Sequence, residues 1–450
     1  MTATPSPTAV GPRTAIPLGV LALAIAIVAQ LIGQFKINVG IGTLVIFPMV
    51  WGLLIALVAT VQKFKPVPVA VQRAAAALSG IAVLLLVARL SVDIGPSIPQ
   101  LFKAGPALLL QEAGHMLGTI VLALPVAVLL RMGRATVGAT FSLDREPAFA
   151  MVSARFGSNS DEYRGVLAMY VFGTIFGAVY ISLLTSLIAN WKIFDPLALA
   201  MGAGVGSGSM MAASVASIIG AYPASASSIT GMAAVSNLIT GLIGTYVGMY
   251  VALPLADRVY RLLTRTPKPA LSPVGVGAGS SASPEGTAHD AENAAFRAEA
   301  AEAHQTANVS LWISLPILTV VGLATAFIAK GFSWTPVGGY AIMLAMMLVG
   351  FALARLTRNK VPAVIWIMTI GALLSSPWSP LAKTMATVVG GVDFLSIATI
   401  VLTVAGLSLG KDVHLLRRIG WRIIPVGLVA VTATFLLSSL VAEFALGLWH

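Results

Sequence analysis

Long apolar runs separated by short polar stretches set the pattern of this chain. Twelve runs stand out, at about 15–33, 38–61, 71–92, 105–131, 164–190, 195–220, 228–258, 309–329, 337–356, 361–379, 392–410 and 420–447. Most are long enough, at roughly 1.5 Å per residue, to cross a hydrocarbon core of about 30 Å. Backbone groups in lipid must pair within their own segment, so the runs are read as helices. The alternating ten-residue pattern of a membrane barrel is missing. The expectation is an all-α polytopic membrane protein of about 12 transmembrane segments.

One long polar stretch, 263–308, interrupts the series. Its first part is rich in Pro, Gly and Ser, the makings of a flexible linker, and AENAAFRAEAAEAH further on suits a short solvated helix. The organisation read from this is a tail at 1–14, two N-terminal transmembrane helices at 15–61, a five-helix unit at 71–262, the linker at 263–308 and a second five-helix unit at 309–448. The run at 15–33 exceeds a signal-peptide core and is expected to be retained. The fourth member of each five-helix unit, 195–220 and 392–410, carries much of its glycine. An odd number of crossings per unit would place the two copies in opposite orientations, as inverted repeats with discontinuous helices.

Composition agrees with this class. Of 450 residues, 58% are hydrophobic and 10% charged, against about 25% charged in soluble domains. The net charge of +11 comes from Lys and Arg in short loops, where they orient helices and meet anionic lipid; nucleic acid is not an expected partner. The basic loops of the two halves conflict unless one of 195–220 and 228–258 is re-entrant or the 131–164 loop faces outward, and both alternatives stay open. There is no cysteine, which removes disulfides and thiolate chemistry.

Candidate chemistry is sparse. Gly202, Gly204, Gly206 and Gly208 alternate within one apolar run, each costing roughly 1 kcal/mol against Ala in a helix. Unwinding here would expose amides and carbonyls beside Ser207 and Ser209, a place for a carboxylate at one half-helix end and a cation at the other. Close packing of small residues is the competing explanation. Gly406 and Ser408, followed by Gly410, mark the corresponding stretch of the second unit, where a GxxxG contact competes equally. Asn237 suits a substrate or a neighbouring helix. Glu112 and His115 lie three apart on one helical face inside an apolar run, a candidate ion-coupling pair. Gly173/Gly177 and Gly244/Gly248 are read as packing pairs. Ala148, Val152 and Phe156 share a face that suits a helix lying along the membrane surface, and Glu443 is expected near the headgroups. HExxH, GxSG, GxGD and Walker A motifs are missing, so neither an enzyme nor a cofactor is expected.

The runs DREPAFAMVSARFGSNSDEYRGVLAMYVFGTIFGA (144–178) and FDPLALAMGAGVGSGSMMAA (194–213) resemble the bacterial membrane family of domain of unknown function 3100. More loosely, VAGLSLGKDVHLL (404–416) and IIGAYPASASSITGMAAVSNLITGLIG (218–244) are similar to the cation-proton-antiporter and anion-transporter superfamily. That similarity implies two inverted five-helix repeats with crossing broken helices and rigid-body movement of one bundle. The chain departs from the antiporters in having no intramembrane Asp pair, which argues against cation antiport. The expected function is secondary transport of an organic anion or amino-acid-like solute across the bacterial inner membrane, coupled to protons or sodium, by a lipid-embedded homodimer. Substrate contacts would come from Gly204, Gly206, Ser207, Gly208, Ser209, Asn237, Gly406 and Ser408, and coupling from Glu112 and His115. A holin-like pore or envelope-lysis regulator resembling LrgB, and an intramembrane enzyme, are the alternatives.

Overall fold

The computed structural model describes residues 8–38, 43–141, 148, 151–152, 155–157, 160–265, 307–358, 360–413 and 420–447. Helices carry nearly all of it: α1 (Pro12–Ile32), α2 (Pro48–Val61), α3 (Val69–Gly118), α4 (Leu124–Leu129), α5 (Ala135–Thr140), α6 (Asp161–Phe172), α7 (Ala178–Trp191) and α8 (Pro196–Gly204). There follow α9 (Gly208–Ala221), α10 (Ala226–Val247), α11 (Leu253–Thr264), α12 (Leu311–Lys330), α13 (Trp334–Leu356), α14 (Ala363–Ser375), α15 (Phe394–Ser408) and α16 (Ile423–Leu446). Among the described residues eight helical stretches are long and apolar enough to cross a membrane, and Pro48–Val61, Gly208–Ala221 and Ala363–Ser375 are shorter apolar helices. This is a multi-pass membrane protein.

Its outer surface confirms the solvent it was built for. Ile16, Val20 and Leu31 on α1, Val320 on α12 and Val349 on α13 are exposed although apolar, which water would penalise and lipid does not. Trp312, Trp334 and Trp421, exposed at helix starts, sit where amphipathic rings anchor a helix at the headgroups. Among the described residues the non-glycine positions with left-handed φ are Arg131, Lys192, Arg265 and Arg358. A cation at a helix C-terminus complements the dipole and meets the interface.

Strands are minor. Thr8–Val10 pairs in parallel with Ala307–Val309, and Phe35–Asn38 antiparallel with Thr43–Ile46. The apolar run at 38–61 is therefore strand followed by a 14-residue helix, which Pro48 starts at its first position. The tail is shorter than expected, since α1 begins at Pro12. Most of the linker, 266–306, including its anticipated helix, lies outside the described residues.

The core is organised around α3, 50 residues long with Pro96, Pro99 and Pro106 inside it. A straight helix of that length would span about 75 Å, more than twice a hydrocarbon core. It is not straight. Asp93 and Glu112, nineteen residues or about 28 Å apart along a rod, bond to Thr230 and Thr240, ten residues or about 15 Å apart on α10. Each proline removes one backbone donor and lets the helix bend. Thr119–Ala123, Gly173–Gly177, Gly248–Ala252 and Met385–Val389 are π-helical, so two of the glycine pairs read as packing sites fall at bulges. The face shared by Ala148, Val152 and Phe156 is turned onto protein: Ala148 and Val152 are buried, and the partly buried Phe156 packs beside them, in a cluster with Phe141, Leu253 and Tyr260.

Candidate functional site

Asp195 starts α8, its carboxylate accepting the Leu197 amide at 2.7 Å. Nine residues later the helix stops at Gly204, and α9 starts at Gly208. Ser207 is extended and its hydroxyl accepts the Met210 amide at 3.3 Å, which caps α9. The interruption is stitched from outside. The Asn237 amide nitrogen donates to Gly204 O and Gly206 O, each at 2.7 Å. Two carbonyls freed by the break thus find one donor group, as a buried site in lipid requires. Because both hydrogens of Asn237 are committed, its orientation is set.

Burial defines the opening. Residues 198–205 and 210–218 are buried, whereas Gly206, Ser207, Gly208 and Ser209 between them are partly exposed. The hydroxyls of Ser207 and Ser209 lie 3.1 Å apart. A cavity of about 250 Å³ adjoins, bounded by Val87 of α3, Met211 of α9, Ala234 and Asn237 of α10, and Val364 and Met368 of α14. Asn237 is the polar member of its lining. Small residues also serve packing here: a methyl group at Gly204 would lie 2.5 Å from the Ser236 side chain and 2.7 Å from Ala233 O.

The second glycine stretch behaves differently. α15 runs unbroken from Phe394 to Ser408 and tightens into a 3-10 turn at Leu409–Asp412. Gly406 faces α2, where a methyl group would lie 2.6 Å from Leu53 O, and Ser408 returns its hydroxyl to Ala405 O at 2.7 Å. The missing side chain serves close helix approach, not unwinding, so Gly406 and Ser408 are corrected to packing positions. α15 does share the start of α8, with Asp393 capping it through the Ser396 amide at 2.9 Å.

Glu112 and His115 are both buried. Glu112 accepts from Gln111 at 2.8 Å and from the Thr240 hydroxyl, and its other oxygen lies 3.4 Å from His115 Nδ1. Glu443 is buried within the protein and accepts the Asp195 amide at 2.9 Å. Beside it, the Tyr222 phenol is held above its ordinary pKa, by burial first and then by the charges of Asp195 and Glu443.

One buried pair escaped the sequence reading. Arg89 and Asp93 join at 2.7 Å, and Arg89 also donates to Val392 O at 2.9 Å and Gly390 O at 2.8 Å. Asp93 in turn accepts from Thr230 at 2.7 Å and Ser227 at 3.4 Å. The signal was present, since opposite charges four apart in an apolar run share a helical face.

With this geometry established, comparison with known proteins adds one relation. The profile of the family described as "Protein of unknown function (DUF3100)" matches residues 27–262, which includes the break, Asn237, the Glu112–His115 pair and Arg89–Asp93. No curated protein and no solved structure matches the chain.

Proposed function

We propose that this chain, which belongs to the DUF3100 family of proteins of unknown function, is a secondary transporter of a small solute in the bacterial inner membrane. One observation carries the proposal: a window of four partly exposed residues, 206–209, in an otherwise buried run, its Gly206 carbonyl held by the Asn237 that lines an apolar cavity. Irregular backbone at membrane depth is tolerated where it lines a cavity, and broken helices of this kind build the sites of many carriers.

The chemistry offered there is specific. The first-turn amides of α9 and the hydroxyls of Ser207 and Ser209 favour a carboxylate. The cavity of about 250 Å³ exceeds the roughly 150 Å³ that takes a benzene, so the solute is an organic anion or amino-acid-like molecule with a compact apolar body. The Asp-capped starts of α8 and α15 support the inverted five-helix repeats, with the break kept in one copy. Twelve crossings, a homodimer and carrier rather than enzyme action belong to the same proposal.

The test is reconstitution in liposomes with labelled monocarboxylates and amino acids under proton and sodium gradients. Saturable uptake and counterflow are expected, and Asn237→Leu, which orphans both carbonyls, is expected to abolish them in a folded protein. Unsaturable flux, or no flux of any tested class from folded protein, overturns the proposal.

A further inference from the structure

Nearly every buried donor or acceptor in a protein finds a partner, and exceptions mark a place for water, an ion or a proton. Four exceptions gather at one junction: Gln111 Oε1, His115 Nε2 and the hydroxyls of Thr434 and Ser439. Helix geometry does not force this. On the same helix Thr432 returns its hydroxyl to Leu428 O at 2.8 Å, and Ser438 reaches across to Gln111 O at 3.2 Å.

The junction lies behind the break. Gly114 of α3 rests on the backbone of Leu437 and Ser438 in α16. Gly202 of α8 rests on the Ser439 hydroxyl and lies close to Phe435 O, 2.9 Å from where a methyl group would stand. Gln111, Glu112 and His115 share one face of α3, flanked by α16 through Ser438 and by α10 through Thr240. α8 packs against both flanking helices, on α10 through Gly204 and on α16 through Gly202, so that face looks onto α8. Where α8 meets α16, a void of about 10 Å³ lined by Gly202, Gly206 and Thr434 among others has room for about one water.

We propose that this seam is a buried proton-binding site in water contact with the helix break. The proton adds to His115 Nε2 while the Nδ1 hydrogen is donated to Glu112 Oε2, and the carboxylate balances the imidazolium charge. Water held by the Thr434 and Ser439 hydroxyls links the site to the void behind Gly206. The inference rests on the transporter reading for its purpose, and it names the coupling ion as the proton. Hard cations select several oxygen ligands, whereas the ring that Glu112 holds leaves an imidazole nitrogen without a partner, a proton acceptor. No group of three His, Asp or Glu able to hold a metal occurs among the described residues.

Few other charges bear on His115. On α3 the partner is Glu112. α10 offers only Tyr246, exposed beyond Thr240, and α8 has no titratable group between Asp195 and the break. On α16 Glu443 lies one turn past Ser439 and is bound to the Asp195 amide.

The full chain with His289, His304, His414 and His450 replaced by Gln, in lipid nanodiscs, isolates His115 for 15N-histidine NMR. Its Nε2 is expected to gain a proton on acidification while Nδ1 keeps its own, and Glu112→Gln is expected to weaken that uptake. Thr434→Val with Ser439→Ala is expected to slow exchange of the ring N–H with deuterated water severalfold, and Thr434→Ser to leave it unchanged. A ring whose Nε2 gains no proton on acidification, exchange indifferent to the double variant, or proton uptake displaced by added sodium would overturn the inference. None of these readouts needs a solute, so failure of the uptake assay and failure here are distinct results.

Discussion

Removing the Arg89 guanidinium while keeping its partner tests how the two halves of the chain are joined. Arg89→Met leaves Asp93 buried with only the Thr230 and Ser227 hydroxyls, and frees Val392 O and Gly390 O of a charged donor. Removing one partner of a buried ion pair costs about 3–5 kcal/mol. The two carbonyls add to this less than additively, since they belong to the same cluster. Arg89→Met/Asp93→Leu removes both charges, so the ion-pair penalty disappears and only the orphaned carbonyls remain, at about 1–3 kcal/mol each. The double variant is therefore expected to be more stable than Arg89→Met alone by about 3–5 kcal/mol. Steric-trap unfolding in bicelles, read by tryptophan fluorescence, measures both. If Arg89→Met lies within about 0.5 kcal/mol of the parent, or if the double variant shows the simple sum of the singles, the pair does not hold the halves together and this reasoning fails.

Three further outcomes are expected. Gly204→Val drives methyl groups toward Ser236 and Ala233 O and should cost about 1–3 kcal/mol or more in the same unfolding assay; a neutral result would mean that α8 and α10 can part freely. Ala234→Phe fills the cavity beside Asn237 and should raise the KM for uptake or abolish uptake with little loss of thermal stability, whereas unchanged kinetics would place the solute elsewhere. The Tyr222 phenol, raised by burial and by the nearby Asp195 and Glu443 charges, should form its phenolate only above the ordinary tyrosine value of about 10. Negative neighbours disfavour a second negative charge, so a parent minus Tyr222→Phe ultraviolet titration with its midpoint at or below that value would contradict the geometry.

The helix break was legible because lipid makes irregularity expensive. Four alternating glycines at 202–208 and an amide at Asn237 have no cheap explanation inside an apolar run, and the structure brings them together through the Gly204 and Gly206 carbonyls. At Gly406 both readings stay open in the sequence, which does not distinguish a side chain omitted for unwinding from one omitted for contact. The neighbour decides, and at Gly406 the neighbour is the Leu53 carbonyl. Asp93 was missed because the apolar run was closed at residue 92, which separated it from Arg89 on the same face. The continuity of α3 was hidden by Pro96, Pro99 and Pro106, which argue for a stop where the surrounding helices supply enough packing for a bend.

The arrangement around the break also constrains how the proposed carrier would move. Asn237 fastens α10 to the end of α8 and to the interruption itself, and Gly204 fixes the α8–α10 approach to within one missing methyl group. These elements share their polar satisfaction, so sliding α10 against α8 would orphan two carbonyls at once, at about 1–3 kcal/mol each. The cavity wall on the far side is different in kind: α14 meets it only through Pro362, Val364, Ile365 and Met368, apolar side chains whose mutual displacement breaks no hydrogen bond. On the proposed reading the break and α10 therefore travel as one body, and the surface that yields is the apolar one facing α14. Arg89 ties α3 to the loop before α15, which makes that loop the natural pivot, because its carbonyls can turn about a guanidinium without losing it.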